Sequence, residues 1–178
     1  MKKTLTSFLV FGILALSATS APAKVAREHL IVPGRSVGAV RLSMLRSNVV
    51  HLLGAPSFSQ KVAQDFAIAM WEKQGLFIGF DGDGHASKVV LISVSSPRFE
   101  TENGAKVGLK ASRLKRLYPK GTPMPPSRNI ADWHDDRLGI GFVHRTYGSN
   151  PIRPHEDWAC DEINVFAASR LVNTEKKP

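Results

Sequence analysis

The chain has 178 residues, with 24 lysines and arginines against 15 aspartates and glutamates, a net charge of +9 and one cysteine. A single cysteine excludes an internal disulfide, and with it every scaffold stapled by disulfides, so stability must come from a packed core. The basic balance favours anionic partners over cationic ones and also serves solubility.

The N-terminus has the three parts of a secretory signal peptide. Lys2 and Lys3 precede an apolar run, Phe8 to Leu16, and Ala21-Pro22-Ala23 supplies small residues for cleavage after Ala23. The run is too short to span a bilayer, which takes about 20 apolar residues. No Cys follows it for lipid attachment. The expected product is a periplasmic or secreted chain of residues 24–178, without a transmembrane anchor.

Downstream, Val40-Arg41-Leu42 leads into Leu45, Val49, Leu52 and Leu53, which fall on one helical stripe. Ser43 is the expected helix cap, and Gly54 with Pro56 the stop. The stretch Trp71 to Phe80 then reads as a hairpin, a polar turn between two runs that alternate with period two. A third strand, Lys88 to Val94, follows the turn Asp81-Gly82-Asp83-Gly84.

The second half repeats this order. Val107-Gly108-Leu109 leads into Leu114, Leu117 and Tyr118, with Ser112 as cap and Pro119 as stop. The stretch Trp133 to Phe142 matches Trp71 to Phe80, with Trp, Leu, Ile, Gly and Phe at the same spacing. A third strand, Glu162 to Ala168, comes after an insertion at 144–161. One such unit cannot bury both faces of its elements, so two units side by side are expected. The expected fold is α+β: two repeats of a helix followed by a three-stranded antiparallel meander, forming one sheet with helices on one face. The first repeat is residues 24–97 and the second residues 98–178, sharing one core.

The stretch Pro33 to Met44, continuing through Val49, Leu52, Leu53, Gly54 and Pro56, resembles the helix-entry motif of the BamE (SmpA/OmlA) family. It is also similar to the repeat unit of β-lactamase-inhibitor-like proteins. The resemblance implies small α+β units, helices over one face of an antiparallel sheet, and protein binding without catalysis. Its sharp part covers about 25 residues by this reading. Ser43 stands where the family pattern usually has Gly, and Leu45 where Thr or Ser would cap. The lipid-anchored cysteine of the BamE type and the disulfides of the secreted inhibitors are both missing.

Strand alternation divides the meanders into two faces. Phe66, Ile68, Met70, Leu76, Ile78 and Phe80, with Leu138, Ile140 and Phe142, form a bulky set expected beneath the helices. The other set is small apart from a few aromatics. Trp71, Phe77, Trp133 and Phe166 are therefore candidate anchors for a partner on an open sheet face, unless the insertion or the N-terminal segment covers it. A second candidate is the basic run around Arg113, Lys115 and Arg116, which would turn outward from the stripe of Leu114, Leu117 and Tyr118. It suits phosphates or acidic protein, but a solvated helix face is the simpler explanation. No aromatic residues interleave it, which argues against a single-stranded nucleic-acid groove.

Catalytic signatures are sparse. Asp81-Gly82-Asp83-Gly84-His85 begins like a calcium loop, but the twelfth position is Ile92 where a glutamate is needed. His134, Asp135 and Asp136 share one turn, and His144, His155, Glu156 and Asp157 lie in or beside the insertion, without zinc-motif spacing. Cys160 has acids beside it, which oppose thiolate formation. No nucleophile elbow, P-loop or dinucleotide fingerprint occurs, and no cofactor is implied. The expected function is an exported, non-enzymatic binding protein that recognises another protein, as an inhibitor or an envelope assembly factor. The alternatives are a basic module for anionic envelope polymer or lipid, and a metal- or thiol-dependent hydrolase.

Overall fold

The computed structural model describes residues 25–124, 130–145 and 156–169; residues 1–23, expected to be a leader, and most of the stretch 144–161 lie outside them. In chain order the elements are β1 (Leu30–Val32), β2 (Ser36–Val37), β3 (Val40–Arg41), α1 (Arg46–Leu53), β4 (Phe58–Ala63), β5 (Phe66–Trp71), β6 (Leu76–Phe80), β7 (Val89–Val94), β8 (Glu100–Thr101), α2 (Ala111–Leu117), β9 (Thr122–Pro123), β10 (Ile130–Asp135), β11 (Ile140–Arg145) and β12 (Glu162–Phe166). No described helix is long and apolar enough to cross a membrane.

The architecture is mostly β, with twelve strands in two sheets and two short α-helices among the described residues. This corrects the expectation of an α+β chain with two helix–meander repeats on a single sheet. The lead-in segments account for the difference. They build a four-stranded sheet of their own, in the order β3-β2-β1-β8, with β1 and β8 parallel. The larger sheet runs β4-β5-β6-β7-β12-β11-β10-β9 and is antiparallel throughout. Its outer strands β4 and β9 were absent from the sequence reading. Ile31, Val37 and Val40 of the small sheet join Val49 of α1 and Leu114 of α2 in one apolar cluster. Trp71, Ile78, Phe80, Ile92, Ile140, Phe142, Ile163 and Val165 of the large sheet complete it. The small sheet and both helices thus cover the same face of the large sheet.

Hairpin register overturns the expected sorting of side chains. Four residues, 72–75, connect β5 to β6, so Trp71 lies opposite Leu76, Ala69 opposite Ile78 and Ala67 opposite Phe80. Directly opposed residues share a face. The covered face therefore holds Ala67, Ala69 and Trp71 with Leu76, Ile78 and Phe80, all buried. Phe66, Ile68 and Met70 point to the other side. The second hairpin is registered differently, with Trp133 opposite Phe142 and Asp135 opposite Ile140. Trp71 ends its strand, whereas Trp133 sits two residues inside β10.

Neither Ser43 nor Ser112 caps a helix. The N-cap residues are Leu45 and Lys110, and neither makes a side-chain cap bond. Backbone carbonyls take that role, identically at both helices. Arg46 and Ser47 N–H groups donate to Ser87 and His85 at 2.7 and 3.2 Å, and those of Ala111 and Ser112 donate to Trp158 and Glu156 at 2.8 and 3.0 Å. Just upstream, the Ser43 N–H donates to Val89 at 2.7 Å and the Gly108 N–H to Cys160 at 2.8 Å. At the far ends, the Trp71 indole N–H donates to the carbonyl of Gly54, the C-cap of α1, at 2.9 Å. That of Trp133 donates to Tyr118, the C-cap of α2, at 3.3 Å.

This correspondence sets Ser43, φ +63°, against Gly108, φ +89°. Ser43 is the only non-glycine residue with positive φ among the described residues. A left-handed residue with a Cβ costs about 1–2 kcal/mol, and glycine gives back about 0.5–1 in chain entropy. Ser43→Gly is therefore expected to raise stability by about 0.5–1 kcal/mol, seen as a higher urea midpoint at unchanged slope.

Candidate functional site

The face of the large sheet that no described element covers is built by the residues that alternate with the core. Phe66, Ile68 and Met70 of β5, Phe77 of β6, Leu91 of β7 and Phe166 of β12 are all partly exposed. Two glycines let aromatic rings lie flat on the backbone. A Cβ at Gly79 would meet the Phe66 ring at 2.9 Å, and a Cβ at Gly141 would meet the His134 ring at 2.9 Å. His134 in turn lies against Phe166, with ring centroids 5.5 Å apart and planes 35° apart. At the seam between the meanders, the Ser93 hydroxyl donates to Asn164 Oδ1 at 2.6 Å.

A groove of ≈ 490 Å³ crosses this face, bordered by Met70, Phe77, Ser93, Arg145 and Glu162 among others. Arg145 and Glu162 pair across its rim. The groove combines an apolar floor with a few convergent polar groups, the composition of a recognition site. Phe77 and Phe166 are where a partner would meet them. Trp71 and Trp133 are on the covered face, Trp71 only 2% exposed, with both indoles tied to helix ends. The four expected anchors are thus split two and two. Phe66, Ile68 and Met70 join the open face instead. The length of the 72–75 connection was the signal for this, since it fixes which parity faces which.

The basic run is split as well. Arg113 and Arg116 are exposed on α2, but Lys115 lies over the Trp133 ring, 5.7 Å from its centroid. Two arginines rather than three cations face outward.

The groups considered for chemistry lie apart from the groove. Asp81-Gly82-Asp83-Gly84 belongs to the β6–β7 connection, where Asp81 Oδ1 accepts from the Lys88 N–H at 2.6 Å and Asp83 pairs with Lys61 at 3.6 Å. Asp135 is buried against Arg137 at 2.9 Å. His134 has Asp132 at 3.7 Å and Asp136 at 4.0 Å, while Asp132 Oδ1 and His134 Nε2 are buried without a hydrogen-bond partner. Among the described residues, no group of three or more His, Cys, Asp or Glu side chains is placed to hold a metal. His155 lies outside the described residues. Cys160 is buried just before β12, its thiol donating to the Glu162 carbonyl at 3.2 Å. Burial, with smaller contributions from Asp161 and Glu162, pushes its pKa up to about 12.

No protein-family model matches the chain, and no curated protein does. Among solved structures, the fold is similar to that of the uncharacterized protein yfeY from Escherichia coli. The TM-score is 0.55 at 16% identity, covering 76% of this chain and 98% of that one. An extracellular protein containing a SCP domain from Bacillus anthracis str. Ames matches at a TM-score of 0.39 and 12% identity, covering 71% and 44%. The likeness to yfeY concerns the fold alone.

Two predictions follow from the buried groups. With its pKa near 12, Cys160 stays protonated at neutral pH. A disulfide reagent should leave it unmodified in the native protein and react fully after denaturation. His144 is 1% exposed, with Nδ1 3.2 Å from the Ala159 carbonyl. Burial lowers its pKa below 6.5, although Asp161 and Asp132 pull the other way. The unfolded chain therefore binds a proton at a pH where the native one does not. Stability is fully present above 6.5 and falls as pH drops from there towards the lower native value. Urea midpoints measured between about pH 8 and pH 5 should show this fall, and His144→Gln should flatten it.

Proposed function

We propose that this chain is an exported, non-catalytic binding protein that recognises another protein through the open face of its eight-stranded sheet. One observation carries the reading. Among the described residues, both helices and the small sheet crowd onto one face, leaving Phe66, Ile68, Met70, Phe77, Leu91 and Phe166 partly exposed on the other, where Met70 and Phe77 border the groove. Partly exposed apolar residues grouped on one face mark interaction surfaces. The leader-like residues 1–23 support export, and the resemblance of Pro33 to Pro56 to BamE-type helix entries supports work in the envelope. The buried, protonated Cys160 supports binding rather than thiol catalysis.

The test uses surface substitutions, because truncating a core tryptophan costs about 3–5 kcal/mol and would abolish binding by unfolding. Wild type, Phe77→Asp and Phe166→Asp are immobilised and exposed to envelope extract. Both variants should stay folded, losing no more than about 3 kcal/mol of unfolding free energy, and recover at least tenfold less of a specific partner. Equal recovery by folded variants would overturn the reading.

A further inference from the structure

The segment that enters α1 forms a second concave surface, distinct from the open sheet face. Arg35, Ser36, Arg41 and Ser43 border a depression of ≈ 700 Å³, closed on its far side by Ala167 and Ala168 after β12. Ser36 and Arg41 are directly opposed in the β2–β3 register, and the next pair, Val37 and Val40, is buried. Alternation therefore turns Ser36 and Arg41 away from the core. The Leu42 N–H donates to the Arg35 carbonyl at 2.9 Å, which holds the exposed Arg35 next to this pair.

These two arginines, like Arg27, Arg113 and Arg116, differ from the four described arginines that have partners. Arg46 is held by the Asp83 carbonyl and Ser59, Arg98 by the Gln74 carbonyl, Arg137 by Asp135 and Arg145 by Glu162. Arg35 and Arg41 make no ion pair and no side-chain hydrogen bond among the described residues. Among the described residues no acid lines the depression. Ser43 keeps its hydroxyl there at a backbone conformation that glycine would take without strain, as Gly108 does at the matching position of α2. Strain of this kind gathers at ligand sites.

We propose that this depression binds a phosphate group, gripped by the guanidinium groups of Arg35 and Arg41 and by the hydroxyls of Ser36 and Ser43. Two guanidinium forks with two hydroxyls offer more donors than the two oxygens of a carboxylate accept, whereas a phosphate monoester presents three charged oxygens.

The protein, purified after expression from its full coding sequence and labelled with nitrogen-15, is titrated with inorganic phosphate at constant ionic strength, with acetate as the control anion. Saturable amide shifts are expected at residues 34–36 and 41–43 with phosphate and not with acetate. Arg35→Gln/Arg41→Gln should weaken the titration at least tenfold, and Arg113→Gln/Arg116→Gln should leave it unchanged. Ser43→Gly separates binding from folding, since it should weaken phosphate binding while the chain becomes more stable. Cosedimentation with phosphatidylcholine vesicles, with and without phosphatidate, identifies the source. Retention on phosphatidate vesicles that is lost in the double arginine variant assigns the group to a lipid. Phosphate shifts without vesicle binding assign it to a soluble phosphate. Absence of saturable shifts at these amides, equal shifts with acetate, or an unchanged titration in the double arginine variant would overturn the proposal. Each leaves the open-face reading untouched.

Discussion

Four residue pairs between β7 and β12 hold the molecule together: Val94 with Ile163, Ser93 with Asn164, Ile92 with Val165 and Leu91 with Phe166. They join two meanders that are distant in sequence into one eight-stranded sheet. On the covered side, Val94, Ile163, Ile92 and Val165 are fully buried. On the open side, Leu91 and Phe166 flank the Ser93–Asn164 hydrogen bond. Separated, each meander would leave β7 or β12 as a bare edge with its apolar side chains half covered. The groove also depends on this seam, because it draws Met70 and Phe77 from one meander and Arg145 and Glu162 from the other.

The two tryptophans secure the layer above. Each is rooted in a strand of a different meander and reaches the C-terminal carbonyl of the helix belonging to its own half. The helices start on backbone carbonyls of the loops that precede β7 and β12. Both ends of each short helix are thus tied to the large sheet through hydrogen bonds that use no helix-specific sequence signal. This explains how α1 and α2, eight and seven residues long, persist without side-chain caps, when isolated helices of that length are marginal in water.

Much of this was legible in sequence. The alternation in β5, β6, β7 and β12, and the stripes of α1 and α2, place those elements within a residue or two. What escaped has physical causes. β1, β2, β8 and β9 are two or three residues long, too short for any period to register, and β3 is legible only as a strand leading into α1, so the second sheet was invisible. β4 is exposed along its whole length and therefore lacks the apolar alternation that marks a strand. In β5, bulk is a poor guide to burial. There the small residues Ala67 and Ala69 are buried, and the large Phe66, Ile68 and Met70 are the exposed ones. Register, set by the connection at 72–75, outranks side-chain size. For the candidate site, the same register sets Phe77 on the open face and Trp71 on the covered one, whereas the helix ends that hold Trp71 and Trp133 are not legible in sequence. Their indole partners are carbonyls, to which the one-dimensional pattern gives no clue.

The ends of the large sheet are unequal. β9 is a two-residue strand that closes on Pro123, which has no N–H to offer. β4 is six residues long, with Phe58 and Val62 46% and 56% exposed, and a bulge between Lys61 and Ala63. A sheet that can grow at one end only cannot propagate. Two molecules meeting edge to edge through β4 would use up both receptive borders and present only proline-blocked ones outward. Pairing of this sheet with a second copy is therefore directed to its β4 border, and Pro123 withholds the opposite one from the same use.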